Sequence, residues 1–128
     1  MLLFAQKTAK RGDYRLLFYN VENLFDAKND SLKLDDDFTP EGKIHWTFAK
    51  YKKKINRIAQ VVMAVGEWEV PEIVGLCEVE NRSVLEGLTN FSPLKKFKYE
   101  IIHYESPDER GIDVALLYQK QKFEVLHS

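Results

Sequence analysis

Ile73-Val74-Gly75-Leu76-Cys77-Glu78 is a short apolar run closed by a carboxylate. A run of this length, bounded by Pro71 and by charge, reads as a buried strand. Upstream, Tyr14-Arg-Leu-Leu-Phe-Tyr-Asn20 has the same form, aliphatic and aromatic residues ending in a polar amide, and predicts a first core strand buried on both faces. Between them Phe48, Tyr51, Ile55, Ile58, Val62 and Val65 recur three and four apart, the period of a helix with one buried stripe, with Thr47 as its N-cap. A helix between two buried strands implies that they pair in parallel, as one βαβ unit.

Working outward, the segment from Asp26 to Thr47 is polar and lacks an apolar period, which predicts a long loop of the kind that often carries function. Ser83-Val-Leu-Glu86 fits a capping box opening a short helix through Leu88. Tyr99 to Tyr104, Val114 to Gln119 and Phe123 to Leu126 read as further strands, the last two joined by a tight Lys120-Gln-Lys turn into a hairpin. Residues 1–13 read as an N-terminal tail and 14–128 as one partial domain. The apolar opening Met1-Leu-Leu-Phe-Ala-Gln suits the end of a signal peptide. On that reading the protein is secreted or periplasmic, and otherwise it is cytoplasmic.

The chain has 128 residues, 45% hydrophobic and 30% charged, which suits one folded domain with a core and excludes a disordered tail or a membrane span. Lys and Arg number 19 against 20 Asp and Glu, so the formal charge of -1 offers no overall attraction to a polyanion, and any phosphate-binding surface must be local. Lys50, Lys52, Lys53 and Lys54 read as a solvated helix face. The single cysteine, Cys77, excludes an intrachain disulfide and reads as a small buried hydrophobe. His103, in a strand pattern, reads as a structural, hydrogen-bonded histidine.

Two parallel strands ending in Asn20 and Glu78 open at their carboxyl ends onto the usual ligand crevice of an α/β sheet. An amide oxygen and a carboxylate are hard donors, suited to Mg²⁺, Mn²⁺ or Ca²⁺. Taken alone, an Asn and a Glu at strand ends are more often turn and cap residues than ligands.

The words around these residues resemble motifs of the endonuclease/exonuclease/phosphatase superfamily, the deoxyribonuclease I-like proteins. Phe18-Tyr-Asn-Val-Glu-Asn-Leu-Phe-Asp26 is similar to the family's first strand motif, which implies that Asn20 helps orient metal and phosphate and that Glu22 lies close to the metal. Ile73-Val-Gly-Leu-Cys-Glu-Val-Glu-Asn81 resembles the strand ending in the principal metal-binding glutamate, a role that falls to Glu78, with Glu80 supporting it or structural. Ser106-Pro-Asp-Glu-Arg-Gly-Ile-Asp-Val-Ala-Leu-Leu-Tyr118 looks like the loop and strand whose arginine contacts phosphate. Arg110 fits, because its planar fork can hold two phosphate oxygens at once, while Asp113 has either a site role or a bond to loop amides. The loop with Phe38-Thr-Pro-Glu-Gly42 and His45-Trp46 is similar to one in a bacterial subgroup, which makes His45 a further candidate.

The resemblance implies an α+β fold, α/β-like in its local order: the N-terminal half of a four-layer αββα sandwich with mixed β-sheet. It implies a metal-dependent phosphodiester hydrolase, nuclease-like, with Mg²⁺ or else Mn²⁺ or Ca²⁺ as cofactor and nucleic acid or another phosphodiester as substrate. A phosphatase for a lipid or sugar phosphate is the alternative within the superfamily. A complete domain is about twice this length. Its second half carries an Asp-Phe-Asn type motif and a terminal Asp-His pair, and neither word occurs here. The chain is therefore expected to be truncated and inactive alone. From a different class, it would be a non-catalytic half-domain binding nucleic acid or protein. Half of a two-sheet sandwich is also expected to expose an apolar sheet face and to self-associate through it.

Overall fold

A computed structural model describes residues 3–6, 14–24, 48–67, 69–107 and 112–128. In chain order these form β1 (Leu3–Gln6), β2 (Leu16–Leu24), α1 (Phe48–Val65), β3 (Ile73–Val79), α2 (Arg82–Asn90), a 3₁₀ turn (Pro93–Phe97), β4 (Tyr99–His103), β5 (Asp113–Gln119) and β6 (Phe123–His127). The fold is α+β, with a mixed four-stranded sheet in the order β2-β3-β5-β4 and a separate β1-β6 pair. β2 and β3 run parallel, as the intervening helix requires, with Leu16 opposite Ile73 and Asn20 opposite Cys77. β5 is antiparallel to both β3 and β4. The expected N-cap Thr47 lies outside the described residues.

The helices lie on one face of the sheet. Ile55, Ile58, Ala59 and Val62 of α1 and Val84, Leu85 and Leu88 of α2 close over Val74, Leu76 and Leu117 to form the core. Gly87 permits the crossing, because a β-carbon there would collide with the Tyr51 hydroxyl of α1. The expected capping box does not form. Asn81 caps α2 instead, its side chain accepting from the Val84 amide at 3.0 Å, and Ser83 lies exposed in the first turn. An Asn two places earlier competes for the same role with an equally good acceptor.

Further expectations meet a different outcome. β2 is buried on one face only: Leu17, Tyr19 and Val21 meet the core, while Phe18 on the other side is 74% exposed. β5 and β6 do not form a hairpin, since β5 is already flanked by β3 and β4. The turn after Gln119, closed by the Lys122 amide on the Gln119 carbonyl at 3.0 Å, sends β6 to β1 instead. Leu3–Gln6, within the segment read as a tail, is thus a strand. Cys77 is half-buried, its sulfur 3.9 Å from the Tyr19 carbonyl, and burial beside Glu78 pushes its thiol up.

The face away from the helices carries Leu16, Phe18 and Val114, the last 64% exposed. With Gly75, Ile102 and Leu116 these residues line a shallow apolar groove of about 510 Å³. Phe18 lies over Gly75, its partner in register, where a β-carbon would come within 2.7 Å of the ring. Among the described residues no helix is long and apolar enough to cross a membrane.

The amino ends of β2 and β3 are fastened by Glu72, which is 1% exposed. Its carboxylate accepts from the Arg15 amide at 2.7 Å and from the Lys122 ammonium at 3.0 Å. Burial opposes its charge, yet the Arg15 amide and then Lys122 outweigh that and hold the carboxyl below its usual range. A carboxyl with a depressed folded pKa contributes stability that is complete above its unfolded value and is lost as pH falls through the folded one. Acid unfolding should therefore set in below about pH 4.5. Glu72→Gln should cost about 1–3 kcal/mol at neutral pH and flatten that acid limb. Urea titrations across pH check this, and an unchanged acid limb refutes the role given to Glu72.

Candidate metal and phosphate site

At the carboxyl ends of β2 and β3 the regular ladder breaks in both strands at once. The register shifts between Asn20 and Leu24 in β2, and between Cys77 and Val79 in β3. Glu22 (φ 55°), Asn23 (φ 60°) and Glu78 (φ 65°) all take the left-handed conformation. For residues with a β-carbon this costs on the order of 1 kcal/mol each, and asparagine tolerates it best. The extra residues change where the side chains go. Strict alternation after outward-facing Cys77 would send residue 78 into the core; the bulge gives that core position to Val79 and leaves Glu78 partly exposed.

Glu78 consequently meets Asn20. The Asn20 amide nitrogen donates to Glu78 Oε1 at 3.1 Å, and the Asn23 backbone amide donates to Glu78 Oε2 at 3.1 Å. The Asn20 side-chain oxygen accepts from the Glu22 amide at 2.8 Å. Both carboxylate oxygens are oriented by one bond each, and each retains acceptor capacity. Glu22 itself is exposed beside them.

Sequence reasoning assigned Lys54 to a solvated face and missed its role. Lys50, Lys52 and Lys53 are exposed, but Lys54 is half-buried, and its ammonium donates to the Glu22 carbonyl and, at 3.4 Å, to that of Asn23. Burial lowers its pKa, while the carboxylates of Glu22 and Glu78 pull it back up. Its place one residue before the buried Ile55 puts it at the edge of the apolar stripe, a signal obscured by the neighbouring lysines.

The remaining candidates separate. Glu80 is buried, and its amide donates to the Leu24 carbonyl at 2.9 Å, tying β3 to β2 just past the bulges. Asp113 lies at the same sheet end, opposite Val79, but alternates with Ala115 and Leu117 toward the core. There it bonds His103 Nε2 at 2.8 Å and accepts from the Ser106 amide at 2.6 Å. Ser106 also donates to the Ile112 carbonyl at 2.9 Å, so this cluster closes the loop between β4 and β5. Arg110 and His45 lie outside the described residues.

The donor set fits a hard divalent cation that keeps much of its water. Among the described residues no cluster of three or more His, Cys, Asp or Glu forms a metal cage. Mg²⁺ characteristically binds through one or two carboxylates and leaves its other positions to water and substrate phosphate, and Glu78 with Asn20 matches that pattern. If Asp113 serves only the loop, His103→Ala should lower stability by about 1–3 kcal/mol by stripping a buried carboxylate of its partner, and divalent-cation binding should be unchanged. Thermal melts and a cation titration of the same variant check this, and loss of binding in a folded variant would return Asp113 to the site.

Comparison with curated proteins and with solved structures gives no significant match. A family model described as Endonuclease/Exonuclease/phosphatase family matches residues 15–128, which span every element above except β1. Proteins of this family generally use a divalent metal in phosphodiesterase or related hydrolase chemistry. The match runs through the bulged ends of β2 and β3 and the Asn20–Glu78 pair between them, and the chain belongs to the endonuclease/exonuclease/phosphatase family.

Proposed function

We propose that this chain supplies the metal-holding and phosphate-orienting part of a phosphodiester hydrolase, most plainly a nuclease-like one, with Mg²⁺ as the ion. The observation that carries this reading is the Asn20–Glu78 pair, set by two coincident left-handed bulges and aimed outward at the carboxyl ends of parallel strands. Strain retained at two glutamates and an asparagine indicates that the geometry is worth its cost. Mn²⁺ and Ca²⁺ satisfy the same oxygen donors.

In this reading Glu78 holds the cation through a carboxylate fixed by Asn20 and the Asn23 amide. When bound, the ion stabilises negative charge developing on the phosphoryl oxygens. Asn20 holds the carboxylate in place, so little reorganisation is needed as charge develops. Glu22 adds negative potential beside the cation, and Arg110, by resemblance, would contact the phosphate. By resemblance, positioning the attacking water and supporting its deprotonation would fall to Asp-Phe-Asn and Asp-His type groups, and neither word occurs in this sequence. General base catalysis contributes about a hundredfold to ten-thousandfold, so the chain by itself is expected to hydrolyse phosphodiesters weakly or not at all.

The test has two parts. Mn²⁺ titration of the chain, followed by electron paramagnetic resonance, should show one site that Glu78→Gln abolishes without unfolding. In a polypeptide that also carries both missing motifs, Glu78→Ala should abolish Mg²⁺-dependent hydrolysis. Cation uptake or hydrolysis that survives these changes overturns the assignment. Salt-sensitive retention of DNA or RNA in gel shifts, with no cation site, would favour the binding half-domain instead.

The exposed face of Leu16, Phe18 and Val114 supports self-association. Val114→Lys should reduce concentration-dependent sedimentation while moving stability by only about 0.5 kcal/mol. Sedimentation that is unchanged by the substitution argues against that face.

A further inference from the structure

Lys54 reaches from α1 to the carbonyls of Glu22 and Asn23, the two left-handed residues of the β2 bulge. The amides of those residues face the other way: Glu22 donates to the Asn20 side chain and Asn23 to Glu78. The bulge is therefore gripped from both sides. Its carbonyls are held by a helix lysine, and its amides orient the two side chains of the candidate site.

We propose that Lys54 is a positioning residue for the divalent-cation site, holding the Glu22–Asn23 bulge in the left-handed conformation that aims Asn20 and Glu78. The proposal rests on the metal reading given above. Simple electrostatics predicts the opposite effect. A lysine ammonium close enough to feel the carboxylates of Glu22 and Glu78 repels an incoming cation, so removing it should tighten binding if charge alone mattered. Two considerations favour the structural effect. The left-handed conformation at Glu22 and Asn23 is intrinsically disfavoured and persists only where its surroundings hold it. Lys54 also donates to the Glu22 and Asn23 carbonyls, and these bonds fix backbone and leave acceptor positions on Glu78 for a metal.

Lys54→Met keeps the aliphatic stem and removes the donors, while Lys54→Arg restores donors that can span two carbonyls. In metal-free protein, backbone hydrogen exchange at Glu22 and Asn23 should be at least about tenfold faster in K54M, with Leu116 and Leu117 of the central strand unchanged. Mn²⁺ binding should weaken by about tenfold to a hundredfold, the usual effect of losing a partner that orients a ligand. K54R should recover both. If Leu116 and Leu117 also lose protection, K54M has unfolded, and Lys54→Gln is read in the same way.

Unchanged exchange at Glu22 and Asn23 overturns the proposal. So does Mn²⁺ binding that is equal or tighter in a folded variant. If the wild-type chain takes up no Mn²⁺, the metal reading fails, and the exchange rates alone decide whether Lys54 holds the bulge.

Discussion

The bond between Asn20 and Glu78 depends on parallel pairing, and the rest of the site depends on that bond. Parallel strands bring their carboxyl ends to the same edge of a sheet, so two residues 58 apart in sequence become neighbours without help from any loop. Pairing alone would not suffice. With unbroken alternation, Asn20 would face outward while Glu78 turned inward among leucines and valines. A bulge in β3 corrects the direction of Glu78, and a bulge in β2 turns the Asn23 amide onto its second oxygen.

The two ends of the β2–β3 pair are built on different principles. At the amino end, Glu72 is enclosed, takes one bond on each oxygen from an amide and a lysine, and serves to fasten strands together. At the carboxyl end, Glu78 likewise has one bond on each oxygen, but it is partly open and held in disfavoured backbone. Both are glutamates beside buried strands. What separates the enclosed carboxylate from the candidate ligand is access and backbone conformation.

Much of this was legible from residue patterns. The βαβ unit followed from two apolar runs with a three-and-four spacing between them, and Asn20 and Glu78 from the polar residues closing those runs. Three things were not legible. Left-handed backbone at Glu22 and Glu78 has no signal in residue type, since glycine would be the usual marker and neither position has one. Lys54 looks like its neighbours until the helix is rotated against β2. The route of β6 depends on which sheet edges are already taken, and local turn chemistry carries no information about that. The choice of Asn81 over Ser83 as helix cap belongs between these cases: both are good caps, and only helix position distinguishes them.

The left-handed backbone at Glu78 also bears on how this sequence can drift. At such a position asparagine or glycine is the conformationally easy choice, and glutamate stands there against an energetic preference. If Glu78 holds a cation as proposed, a lineage that no longer needed it would be free to exchange Glu78 for either, regaining backbone ease at the expense of the Glu78 hydrogen bonds. On that proposal, the identity of the residue at this one bulge is a compact indicator of whether a related chain still depends on the chemistry, readable without measuring any activity.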